Sequence, residues 1–225
     1  MTQGKTLIGL DFESTGIDTS TARIVTANIT VRYPGGEELK HDWLIDPGVE
    51  IPDGAAAVHG ITTEYAREHG QEPKEALNQI ADTLRLYYDH DGYIVIFNAR
   101  YDLPLLKNEL KRHGLQPLTE FPIYRVYDPL VIDRAADKYR RGSRKLVDMC
   151  PVYGVEVSDD AHQADEDVRM TLDLIEKMLD MYQLPEKDFE LYELQAGAHR
   201  EWAESFGRYL RRQGKVDDVN REWIG

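Results

Sequence analysis

The sequence predicts an α/β fold: a mixed sheet, antiparallel through its first three strands and parallel afterwards, flanked by helices and followed by a C-terminal helical extension. Three observations carry this reading. Residues 7–12, 24–33 and 37–45 have strand-like apolar patterning, and the last two are separated only by the turn residues Pro34, Gly35 and Gly36. Beyond residue 70, short apolar runs alternate with segments of helical period, as expected when helices cover both faces of a sheet. After Pro185, Phe189, Tyr192, His199, Trp202, Phe206 and Leu210 recur at helical spacing, which predicts an amphipathic helix over 186–213.

The first strand runs into Ser14, Thr15 and Gly16, so Asp11 and Glu13 fall at its end. Residues 46–62 are rich in Pro, Gly and Ala without a clean period and read as a long loop, ending at Thr62 as a helix N-cap. Leu77, Ile80, Ala81 and Leu84 mark a helix, and Asp91-Gly92 leads into a compact strand over 93–97. Asn98-Ala99-Arg100-Tyr101-Asp102 then opens a helix that runs to about His113 and stops at Gly114. A strand over 123–127, helices over 129–139 and 145–152, and a longer helix over 164–182 complete the unit. The expected division is a domain over 1–184 and a helical extension over 185–225.

The 225 residues, 41% of them hydrophobic, suffice for a real core. The single cysteine, Cys150, excludes an intrachain disulfide framework and points to a reducing compartment. The apolar stretch at 7–10 is too short for a signal-peptide core or a membrane span, so a soluble cytoplasmic protein without membrane contact is expected. A formal charge of −14 argues against coating nucleic acid through a broad basic face. It does not argue against local phosphate chemistry, because cations held by carboxylates reverse the local field.

Asp11 and Glu13 are two apart on a strand, so their side chains share a face and can share a cation. Asp102 follows an apolar strand, at the carboxyl end where open α/β sheets gather ligands; capping the helix from residue 103 is its alternative role. His162-Gln163-Ala164-Asp165-Glu166-Asp167 places a histidine on the loop entering the last large helix and Asp167 in its first turn. Lys138, Arg140, Arg141, Arg144 and Lys145 form a basic run, either a substrate-backbone track or a solvated loop. Arg208, Arg211, Arg212 and Lys215 read as the wet face of the tail helix.

Taken in order, these motifs resemble those of the DnaQ-like, or DEDD, exonuclease superfamily, in its DEDDh branch, over residues 6 to about 180. Leu10-Asp11-Phe12-Glu13-Ser14-Thr15-Gly16 matches the first motif, Asn98 to Asp102 the second and His162 to Asp167 the third, and Val58-His59-Gly60-Ile61-Thr62 matches a segment placed near the terminal nucleotide. Similar tails follow the exonuclease domain in some actinobacterial and phage relatives. The resemblance implies a ribonuclease-H-like fold and two divalent cations, Mg²⁺ or Mn²⁺. Asp11 would bridge both, Glu13 and Asp167 would complete one site, and Asp102 would help hold the other. His162 is implied as general base, with Phe12, Thr15, Gly16, His59 and Asn98 as substrate contacts. The implied activity is 3′-to-5′ exonucleolytic hydrolysis, in proofreading or repair, at a nucleic acid 3′ end, with DNA expected before RNA. The alternatives are an exoribonuclease on short RNA and a non-catalytic module that recruits a polymerase or another replication protein. Oligomer formation is open.

Overall fold

The computed structural model describes residues 4–118, 124–157 and 163–224. Its sheet contains β1 (Leu7–Ser14), β2 (Ile24–Arg32), β3 (Glu38–Leu44), β4 (Tyr93–Val95) and β5 (Val126–Tyr127), in the spatial order β3-β2-β1-β4-β5. β2 runs antiparallel to both β1 and β3, whereas β4 runs parallel to both β1 and β5, as the sequence predicts. Eight helices are present among the described residues: α1 (Asp53–His59), α2 (Thr63–His69), α3 (Pro73–Asp89), α4 (Ala99–Arg112), α5 (Pro129–Ala136), α6 (Leu146–Met149), α7 (Ala164–Met181) and α8 (Asp188–Arg212).

The sheet separates two apolar clusters. Ile8, Leu10 and Phe12 of β1 face the cluster formed with α3 and α4, including Leu77, Ile80, Leu84, Leu105 and Leu106. Leu7 faces the other, with Val168, Leu172 and Ile175 of α7. This alternation follows from the pleat, and it puts Gly9, Asp11 and Glu13 on the α7 side.

Several expectations are corrected. The supposed loop over 46–62 contains α1; Ala55, Ala56 and Ala57 favour helix, and Gly60 ends it at φ 78° in the left-handed region. Thr62 does cap α2, its side chain accepting the Tyr65 N–H. The helix opened by Asn98 to Asp102 runs from Ala99 to Arg112 with Asn98 as its N-cap, so Asp102 lies inside the first turn and does not take its alternative role of capping a helix from residue 103. The helix expected over 129–139 ends at Ala136. The segment expected as one helix over 145–152 is α6 followed by a 3₁₀ turn, Cys150–Tyr153, with Pro151 interrupting the α-helical hydrogen bonding. The strand expected over 123–127 is confined to β5, and residue 123 lies outside the described residues.

The stripe expected on the tail helix is rotated. α8 buries Leu191, Gln195, Ala196, His199, Ala203 and Gly207, whereas Phe189 and Phe206 remain exposed. A tight contact favoured small residues: a Cβ on Gly207 would meet the Asp217 carboxylate at 2.4 Å. The chain after α8 folds back, with the Asn220 carbonyl 3.1 Å from His199 Nε2, and Trp223 and Ile224 enter the α3/α4 core. No described helix is long and apolar enough to cross a membrane. Cys150 is buried and free.

Candidate active site

β4 pairs with β1 only as far as Gly9, opposite Val95. Beyond that point the β4 chain turns away toward α4 and β1 continues to Ser14, leaving a notch at the carboxyl ends of two parallel strands. Asp11 and Glu13 project into the notch from β1. α7 crosses the same face so closely that a Cβ on Gly9 would lie 2.5 Å from Val168 Cγ1. The residue before Val168 is Asp167, and this crossing delivers its carboxylate.

One ligand oxygen each from Asp11, Glu13 and Asp167 lies within 4.8 Å of the others. Asp102, 3% exposed, lies beside them, and Asp11 and Asp102 each have pKa values raised well above the usual carboxylate range. Burial is the main cause for both; Asp11 also feels the charges of Asp102, Asp167 and Glu13. At Asp102, the Phe12 amide partly opposes the shift, while the Asp128 and Glu13 charges add to it. Glu13 is pushed up to about 7 by burial and by Asp167. Such an arrangement is costly as a set of ionised groups without a cation.

These residues fit hard divalent cations. Their donors are carboxylate oxygens, and Asp102 Oδ1 is buried with no hydrogen-bond partner among the described residues. The N-terminal turn of α7, which holds Asp165, Glu166 and Asp167, adds a helix dipole favourable to anions.

Of the expected substrate contacts, His59 ends α1 and is buried. Its Nδ1 accepts the Ile61 N–H at 3.2 Å, which places the ring proton on Nε2; that atom has no hydrogen-bond partner among the described residues. Burial lowers the His59 pKa, partly opposed by the Ser14 carbonyl, so the neutral tautomer is favoured. His59, Glu13, Ile61, Gln163, Ala164 and Asp165 line part of a cavity of about 260 Å³. The Phe12 side chain is directed away from the notch into the core, 5% exposed, leaving only its backbone near the carboxylates. Thr15 pairs with Arg23, its N–H donating to the carbonyl and its Oγ1 accepting the Arg23 N–H at 2.9 Å. The Gly16 carbonyl accepts from Ser14 Oγ and from the Tyr101 hydroxyl, which also contacts Ser14 Oγ, so α4 is tied to the loop after β1. Asn98 adopts φ 66°, ψ 50°, uncommon for a residue with a side chain. His162 lies outside the described residues.

The basic run is largely engaged in structure. Arg140 and Arg144 pair with the fully buried Asp133, which also accepts the Tyr153 hydroxyl, and Lys138 pairs with Glu201. Gly9 and Asp128 belong to none of the sequence motifs. A glycine inside an apolar strand and an Asp-Pro step entering a helix were the signals that could have found them.

A family model described as Exonuclease (RNase_T) matches residues 8–175. The chain belongs to this exonuclease family. It is similar to an uncharacterized exonuclease, CP81, of Escherichia phage 186, with 32% identity over 148 residues, 60% of this chain and 70% of the phage protein. Among solved structures, E. coli Exonuclease I in complex with a dT13 oligonucleotide superposes with a TM-score of 0.65 at 19% identity, over 78% of this chain and 41% of that chain. A zinc-bound E. coli Exonuclease I complex with single-stranded DNA gives 0.67 at 20%, over 88% and 44%. The moderately thermophilic Exonuclease I of Methylocaldum szegediense gives 0.64 at 18%, over 91% and 46%. The chain therefore spans less than half the length of these structures, and the likeness establishes the ribonuclease-H-like fold.

Proposed function

We propose that this chain is a metal-dependent 3′-to-5′ exonuclease that releases nucleoside monophosphates from DNA, with its acidic residues carried by an exonuclease domain over residues 1–184. The observation that carries the reading is the meeting of Asp11, Glu13 and Asp167 within 4.8 Å, beside the buried Asp102. Asp11, which feels the charges of all three other carboxylates, would be the ligand shared by two cations, with Glu13 and Asp167 helping to hold one and Asp102 the other. Bound Mg²⁺ or Mn²⁺ would neutralise phosphate charge, acidify the attacking water and stabilise the leaving oxygen.

The chain's own groups do the remainder. His162 takes the proton of the attacking water, a phosphorus–oxygen bond forms to that water, and the bond to the 3′-oxygen of the penultimate nucleotide breaks. His59 presents its Nε2–H to the terminal nucleotide in the cavity it lines. Asn98, Thr15, Gly16 and the Phe12 backbone surround the nucleotide from the strand ends. The preference for DNA draws support from the oligonucleotides bound by E. coli Exonuclease I.

The test is digestion of 5′-labelled DNA and RNA oligonucleotides, single and double stranded, under Mg²⁺ and Mn²⁺. Stepwise shortening of DNA, abolished by Asp11→Ala and slowed by roughly 10² to 10⁴ in His162→Ala, is expected. Full activity in His162→Ala would remove it as base, preference for RNA would reassign the substrate, and intact strands under both metals would overturn the reading.

A further inference from the structure

Behind the turn that leads into Asp102 lies a buried polar cluster that joins three parts of the chain. At its centre is Asp128, fully buried. Its Oδ1 accepts the Asn98 N–H at 3.0 Å and the Leu130 N–H at 3.1 Å. Its Oδ2 accepts the Ala99 N–H at 3.0 Å and the Trp223 indole N–H at 3.2 Å. Burial raises the Asp128 pKa, yet these bonds oppose the shift, and with every contact an N–H donor the geometry suits a carboxylate and offers a carboxyl proton no acceptor. The Asp128 N–H donates to Gln195 Oε1 at 2.9 Å, and Gln195 Nε2 donates to the Val126 carbonyl at 2.8 Å.

Asn98 is strained and its side chain makes no capping bond to α4. Asp128 therefore supplies what the local sequence does not: it satisfies the amides that open α4 and holds the left-handed turn. Asp102 follows within the first turn of that helix, so its approach to Asp11 depends on how firmly the turn is clamped. Gln195 and Trp223, 0% and 3% exposed, come from α8 and the segment behind it, beyond the 8–175 match to the exonuclease family.

We infer that Gln195 and Trp223 are positioning residues for the metal site: through Asp128 they fix the Asn98–Ala99 turn and with it Asp102. The C-terminal extension is thus a working part of the catalytic unit, reaching the carboxylates without touching them. This rests on the reading of Asp102 as a cation ligand.

Trp223→Phe keeps an aromatic ring at the site but removes the indole donor together with the pyrrole half of the ring system, a packing loss that thermal melting reads separately; Gln195→Met keeps the shape and removes both polar groups. Each variant is compared with wild type by calorimetric Mn²⁺ titration, amide exchange at Asn98 and Ala99, thermal melting, and kcat and KM on a single-stranded oligonucleotide, with exposed Tyr209→Ala as control. Folded Trp223→Phe is expected to bind Mn²⁺ about 10- to 100-fold more weakly, with faster exchange at the two amides and a fall in kcat at unchanged KM. Gln195→Met should act in the same direction, and Tyr209→Ala should match wild type. Wild-type Mn²⁺ affinity and kcat in folded Trp223→Phe, even with a lowered melting temperature, would overturn the inference and leave the exonuclease reading intact. Because the titration does not depend on turnover, a wild type that binds Mn²⁺ but cleaves nothing would overturn only the exonuclease reading.

Discussion

Gly9 lies so close beneath Val168 that a Cβ on the glycine would come within 2.5 Å of Val168 Cγ1 and 3.0 Å of Leu172 Cδ1. The absence of a side chain lets α7 settle onto β1, and this seats Asp167 beside Asp11 and Glu13. Gly9→Ala should destabilise the fold by about 1–3 kcal/mol, the usual cost of overpacking. Turnover should fall further than stability explains, because Asp167 moves with the helix. Melting curves beside kcat under saturating Mn²⁺ check this; reduced stability with unchanged kcat would contradict it.

The carboxylate cluster predicts an unusual pH dependence for the metal-free protein. Asp11, Glu13 and Asp102 all have folded pKa values above their ordinary ones, so the folded state binds more protons than the unfolded state in the window between. Their favourable contribution is full below the unfolded pKa and is lost as pH rises through the folded value. For Glu13 that window runs from 4.5 to about 7. With EDTA present, this cluster should lower the melting temperature between these limits. Millimolar Mg²⁺ or Mn²⁺ should remove most of that drop; an equal decline with and without metal would contradict the prediction.

Asp11→Asn should separate stability from activity. Removing one charge from four mutually repelling carboxylates should raise the metal-free melting temperature at pH 8. Turnover should fall by at least about 10²-fold, the scale seen when a group stabilising transition-state charge is removed. A melting temperature lower than wild type in EDTA would show that Asp11 has a structural role the present geometry does not reveal.

Asp133 makes the opposite case. It is fully buried and accepts from Arg140 at 2.8 Å and Tyr153 at 2.7 Å, as well as from Arg144. Asp133→Ala strands buried donors and should cost about 3–5 kcal/mol. Arg140→Ala should also destabilise, with little change in KM for oligonucleotides or in its salt dependence. A clear drop in the salt dependence of KM would instead return Arg140 to the substrate path.

Much of the site was legible because it is written in short-range spacing. The two-residue separation of Asp11 and Glu13 sets a shared face, and the onset of helical period after Gln163 puts Asp167 in a first turn. Where the reading failed, competing local signals were close in strength. Pro and Gly around 46–62 mask the short alanine helix, and the aromatic stripe on α8 dominates its hydropathy pattern because large apolar side chains outweigh the alanine and glycine of the packed face. The roles of Arg140 and Arg144 could not be read because nothing in a basic run tells which acid will be buried against it.

By itself, then, the chain determined the order of the strands and of the longer helices, the antiparallel-then-parallel sheet, and which carboxylates stand at strand ends and helix starts. Only the tertiary structure decided that Gly9 admits α7, that small residues form the packed face of α8, and that Asp128, Gln195 and Trp223 clamp the turn before Asp102. The division has a physical origin. Backbone sterics and side-chain periodicity act over a few residues and leave their mark in sequence, whereas apolar burial has no direction and says which face is hidden without naming its partner. Close packing and buried hydrogen bonds choose that partner, and they act between residues far apart in the chain.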